Sequence, residues 1–148
     1  MTTYQRFLLM LAIAFCVVYM VLYLDLDNTD HIFLSMPYFY KTLLIVSPMA
    51  ILVLLMVPKT YTSMKMNNII MGTSGVVFLV SLIFLQNHTF MKDTQYLKAM
   101  IPHHSVAIMT SKTVTIKDPR VIKLSQQILH SQEDQLDQMK KLLKEMEQ

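Results

Sequence analysis

Three long apolar runs occupy Phe7 to Leu24, about Tyr38 to Val57, and Ile69 to Leu85. Each approaches the ~20 residues that, at ~1.5 Å of rise per residue, carry a helix through a ~30 Å hydrocarbon layer. The pattern predicts three membrane-spanning helices. After Leu85 the character changes: Gln86, Asn87, His88 and Thr89 close the third run, and polar and apolar positions then alternate at helical spacing. The chain is therefore divided into a transmembrane region, 1–88, and a helical hairpin, 89–148.

In the second part Asp93 or Thr94 can cap a helix that runs to about Lys112. Pro102 lies inside it, has no N–H to give, and leaves the Lys98 carbonyl without its usual partner, so a kink or a restart is expected. Thr113 to Lys117 forms a short connection. Asp118 suits an N-cap and Pro119 the first helical position, which predicts a final helix from Pro119 to about Met146. Its apolar seam reads Val121, Leu124, Ile128, Gln132, Gln135, Met139, Leu142 and Met146, in steps of three and four. Two such helices are too few to bury a convincing core. The expected fold class is all-α: three spans and a hairpin that self-associates, two hairpins making a four-helix bundle with sites built from inward side chains.

Composition agrees with the membrane reading: 53% of the 148 residues are hydrophobic, 16% are charged, and the mean hydropathy is +0.41. Arg6 ahead of the first run has the look of a secretory signal, but no small-x-small cleavage site follows, so a retained helix is expected. Phe15 before Cys16 argues against a lipidation signal, and a single cysteine excludes an internal disulfide. Arg6, Lys59 and Lys65 mark the cytoplasmic side, because cations in short loops stay inside. The loop with Asp25, Asp27, Asp30 and His31 then lies outside, Tyr38, Phe39, Tyr40 and Lys41 form an interfacial belt, and the C-terminal hairpin is extracytoplasmic. The net charge of +3 and pI near 9.0 raise nucleic acid or anionic lipid as partners. Lys140, Lys141 and Lys144 follow Glu133, Asp134 and Asp137 on one helix, however, which is a mixed solvated face, and no nucleic-acid partner is expected.

The candidate chemistry is concentrated in Met100-Ile-Pro-His103-His104-Ser-Val-Ala-Ile-Met109. At 100° per residue His103 and His104 fall on either side of Met100, so the three side chains share a face, with Met109 elsewhere. In an antiparallel hairpin the middle of the last helix would set Gln132, Gln135 and Met139 opposite them. Thioether with imidazole favours copper, particularly Cu(I); calcium and magnesium want oxygen ligands, and di-iron bundles want several carboxylates. Methionine occupies the place that glutamate takes in the Glu-x-x-His pattern of di-iron helices. The alternative is that methionines fill the core and buried amides only fix helix register. His130, and the sets His88 with Met91 and His31 with its aspartates, are weaker candidates.

The run Asp93, Tyr96, Met100-Ile101-Pro102-His103-His104, Ala107-Ile108-Met109, continued by Asp118-Pro119, Val121, Leu124, Ile128, Gln132 and Met139, resembles the domain of unknown function 305 family over roughly Asp93 to Leu143. The three preceding spans resemble its membrane-anchored members. The resemblance, which extends to CopM-like copper-binding proteins, implies a ferritin-like helical bundle in the bacterial periplasm that binds metal, copper above all, through His and Met. The chain departs from the family at Gln135-Leu136, where Glu-Ile is common. The combined expectation is a bacterial inner-membrane protein that binds copper for tolerance, storage or handover, through His103, His104, Met100, Met139, Gln132 and Gln135. Expected partners are the lipid bilayer, further copies of the chain, and a periplasmic metal donor or acceptor. The alternative is a structural oligomer or partner-binding module. An enzyme is not expected: paired carboxylates, a nucleophile beside a base and a phosphate-cradling loop are all missing.

Overall fold

The computed structural model describes residues 1–88 and 91–147. Among these, helices account for all the regular structure: α1 (Thr3–Val21), a short 3-10 turn (Thr29–His31), α2 (Met36–Met56), α3 (Met64–Gln86), α4 (Asp93–Thr113) and α5 (Pro119–Met146). Thr89, expected to help close the third span, lies outside the described residues. The chain divides into two compact bodies, Met1–Leu22 with Pro37–Thr89, and Tyr23–Met36 with Phe90–Gln148. The loop between the first two long helices thus belongs with the C-terminal hairpin.

In the first body α1, α2 and α3 are long and apolar enough to cross a membrane. A capping box between Thr2 and Gln5 starts α1. Phe7, Ala50 and Leu54 form a small core, against which Tyr61, Ile70 and Met71 pack. Tyr4 ties the helix starts together: its hydroxyl donates to Asn67 Oδ1 at 2.9 Å and accepts from the Ser63 N–H at 3.1 Å. Most apolar side chains of α1 and α3 are exposed rather than packed in this core. Polar side chains are handled internally. The hydroxyls of Thr42 and Ser47 donate back to the carbonyls of Tyr38 and Leu43, at 2.9 and 2.7 Å. In the expected aromatic belt the Lys41 ammonium stands 4.9 Å from the Tyr38 ring centre. His88 follows the α3 C-cap with φ of 49°, the left-handed conformation that ends many helices.

In the second body α4 and α5 pack as a hairpin around Leu97, Ile101, Ile108, Leu136 and Leu143, with Phe33, Leu129 and Met139 against them. The positions on α4 recur by four and seven, the spacing that keeps one face toward a neighbour. Asp118 caps α5, accepting from the Arg120 N–H at 2.8 Å, and Pro119 opens the helix. The Arg120 side chain and N–H hold the Asp118 carboxyl below its usual value.

Three expectations need correction. First, α4 begins after Lys92, which makes no side-chain cap; Asp93 is its first residue rather than its cap, and favours the helix through charge at the N-terminus. Second, α4 does not restart at Pro102. The proline is fully buried inside one continuous helix, so packing offsets the lost backbone bond. Third, the inward seam of α5 is not the expected one. Leu129, Gln132, Leu136, Met139 and Leu143 face α4, whereas Val121, Leu124, Ile128, Leu142 and Met146 remain exposed. The helix carries two apolar stripes side by side, and the heptad Leu129–Leu136–Leu143 is the one that meets Leu97, Ile101 and Ile108.

This assignment gives a direct test on the full chain in mild detergent. Leu136→Ala, which opens the buried seam, is expected to destabilise the hairpin by about 2–5 kcal/mol. Leu142→Ala, on the exposed stripe, should cost about 0.5 kcal/mol or less. Hydrogen exchange of the α5 amides reads the difference, and equal losses would show that the inward face is misassigned.

Candidate metal centre

His104 is the centre of the polar layer between α4 and α5. Its ring is 9% exposed, with Nδ1 3.1 Å from the Met100 carbonyl oxygen and Nε2 3.0 Å from Gln135 Oε1. A neutral imidazole has one N–H. Both contacts are satisfied when Nδ1–H donates to the Met100 carbonyl and the Gln135 amide is turned so that its NH2 donates to Nε2, since amide oxygen and nitrogen are assigned from such networks. The lone pair of Nε2 then points across the interface. A ring anchored through its other nitrogen to a backbone carbonyl is how metal-binding histidines are commonly oriented.

Met100 lies one turn before His104 on α4, and Met139 one turn after Gln135 on α5. Met139 packs against the shared core, and Met100 is half-buried. Gln132 lies one turn along α5 from Gln135; its Oε1 is buried without a hydrogen-bond partner, which costs about 1–3 kcal/mol. The two glutamines therefore differ. Gln132 is half-buried with an orphaned oxygen, and Gln135 is a largely exposed residue whose amide reaches in to His104.

His103 does not share the inward face with His104. It is exposed, because a residue ~100° around the helix from His104 falls outside the sectors of α4 that α5 and the 23–36 loop cover. The ring centres are nevertheless 6.0 Å apart. Two imidazoles on one ion at ~2.0 Å metal–nitrogen distance place their centres roughly 5–6 Å apart, so the pair lies at the edge of that range.

The weaker candidates fall apart as a group. His130 is exposed, its Nε2 3.7 Å from Asp134 Oδ2, and His88 is exposed at the end of α3. Among the described residues no cluster of three or more His, Cys, Asp or Glu side chains could hold an ion. The other donors near His104 are thioether sulfur, which suits soft cations, and amide oxygen, which suits hard ones.

The structure reveals one feature that the pattern along the chain did not. Ser105, next to His104, is fully buried, and its hydroxyl fixes the 23–36 loop to α4. It accepts the Asp27 N–H at 2.8 Å and lies 2.8 Å from His31 Nδ1. Both bonds are satisfied when the hydroxyl proton is given to Nδ1. Lys112 adds an exposed clamp, with Asp27 Oδ2 at 3.0 Å and Glu133 Oε1 at 3.3 Å. A serine hydroxyl and a loop histidine 74 positions apart carry no periodic signal along the chain.

The model of the family described as "Domain of unknown function (DUF305)" matches residues 60–148. The chain belongs to this family. The DUF305 region reaches back over α3, well beyond the Asp93 to Leu143 stretch that carries the resemblance. The chain is also similar to the "Uncharacterized protein L153" of Acanthamoeba polyphaga mimivirus, 34% identical over 109 residues, covering 72% of this chain and 70% of the relative. A match of that length takes in α3 and the Met100–His104 segment wherever it begins. No solved structure matches the chain.

Burial of His31 lowers its pKa from the usual 6.5, assisted by Lys140 and opposed by Asp27, Asp30 and Asp137. The docked loop therefore prefers the neutral ring, and the undocked chain binds more protons. Docking is fully stabilising above pH 6.5 and weakens as the pH falls from there through the lowered value of the docked state. Protection of the Asp27 amide, corrected for intrinsic exchange, should fall over that window in the wild type. In His31→Gln it should be independent of pH there; an unchanged slope would mean that another group titrates.

Proposed function

We propose that this DUF305 protein is a membrane-anchored binding module that captures a soft metal ion, copper in the Cu(I) state, between α4 and α5. The observation that carries the reading is the His104 ring, half-sealed between the helices, fixed through Nδ1 to the Met100 carbonyl and aiming Nε2 at the amide layer of α5. Displacing the exposed Gln135 side chain frees that nitrogen. Met100 and Met139 would supply thioether sulfur, the buried Gln132 Oε1 would gain a partner, and His103 would close the site from the solvent side. The role is binding for tolerance, storage or handover to a periplasmic donor or acceptor protein, without catalysis, and the ion is cargo.

The three apolar helices support an anchor in the bilayer. The cation distribution supports a cytoplasmic N-terminus and a hairpin facing the periplasm of a bacterial inner membrane. The exposed stripe from Val121 to Met146 supports self-association into a ferritin-like bundle. A purely structural role for the His and Gln layer is the rival reading, favoured by the complete hydrogen bonding of the His104 ring.

A Cu(I) competition titration on the full chain decides between them. His104→Ala and Met100→Leu are each expected to weaken Cu(I) binding by about tenfold or more, and His103→Ala by less, in line with losses of 10–100-fold when support to a metal ligand is removed. Wild-type affinity in His104→Ala would overturn the metal reading. Gln132→Leu separates the roles further: removing an orphaned buried oxygen should leave stability unchanged or raise it, while Cu(I) affinity falls.

A further inference from the structure

Lys140 and Lys144, one turn apart on α5, line an open groove together with Phe33, Leu143 and Glu147. Along the chain they belong to a mixed solvated face; in the fold three of the nearby carboxylates turn to other partners, while Asp137, three residues before Lys140, acts with it on the charge of His31. Glu133 meets Lys112 at 3.3 Å, Asp134 stands near His130, and Glu147 turns to Lys98 at 2.7 Å. Among the described residues no carboxylate lies within ion-pair distance of Lys140 or Lys144. Two ammonium groups outside any close ion pair therefore share one groove with the Glu147 carboxylate, which is itself held by Lys98.

The floor of the groove is apolar. Leu143 is buried and Phe33 packs against the same core, while Ile32 and Leu34 on either side of Phe33 are exposed. Phe33 is also only three residues ahead of Met36, where α2 begins. At ~3.5 Å per residue, the chain ties this apolar segment within roughly 10 Å of the start of a helix that is long and apolar enough to cross a membrane. Positive charge above an apolar floor, beside a membrane entry, matches a ligand with an anionic head and a hydrocarbon body.

We propose that this groove binds an anionic phospholipid headgroup, the phosphate held by Lys140 and Lys144 and the first methylenes lying against Phe33 and Leu143. The site is independent of the metal layer. Lysine ammoniums act on phosphate as point charges, so a free phosphate offers the same charge without the apolar part. The lipid would brace the 23–36 loop against the last turns of α5.

The test is thermal unfolding of the full chain in mild detergent, titrated with short-chain phosphatidylglycerol, phosphatidylcholine of the same chain length, or inorganic phosphate. Phosphatidylglycerol should stabilise the wild type, and phosphatidylcholine and inorganic phosphate should not at the same concentrations. Juxtamembrane lysines contribute about fivefold each to anionic-lipid binding. Lys140→Gln with Lys144→Gln should therefore raise the half-saturating phosphatidylglycerol concentration by about 25-fold. Lys141→Gln, which removes the same charge one position outside the groove, should change it by less than about twofold, and Lys140→Arg with Lys144→Arg should retain binding. Equal stabilisation by phosphatidylcholine or by inorganic phosphate, or an equal loss in Lys141→Gln, would overturn the proposal.

Discussion

The C-terminal body depends on a seam in which Leu136 and Leu143 of α5 meet Leu97, Ile101 and Ile108 of α4. Apolar burial here is non-directional and sets only that the helices adhere. Polar contacts set how they are aligned: His104 against Gln135 in the middle, Lys98 against Glu147 at one end, and Lys112 against Glu133 toward the other. The exposed pairs add little energy by themselves. The buried ring matters more, because sliding the helices would strand its nitrogens in an apolar layer.

The same seam explains why a metal reading and a structural reading compete for one residue. His104 is satisfied by hydrogen bonds as it stands, yet one of its two partners is a largely exposed side chain. The orphaned Gln132 oxygen beside it is a cost that the apolar seam alone does not require.

The C-terminal body is not a hairpin alone. Ser105 brings in the loop between α1 and α2, so the segment joining two apolar helices is fastened one residue from His104. The groove at the last turns of α5 uses the same loop through Phe33. The His104 layer, the loop latch and the groove are thus built on one small core.

The sequence by itself determined the three apolar helices, the start of α5 at Asp118-Pro119 and the singular character of Met100 to His104, because length, capping and composition act locally. It did not determine which of two adjacent stripes on α5 turns inward, since Val121-Leu124-Ile128 and Leu129-Leu136-Leu143 are equally helical and only the position of α4 chooses between them. Nor did it separate His103 from His104. Adjacent residues point ~100° apart on a helix, and whether one is buried and the other wet depends on where the neighbouring helix and loop lie. The Ser105 latch joined residues far apart in the chain, and no local pattern encodes a contact made by closing a long loop.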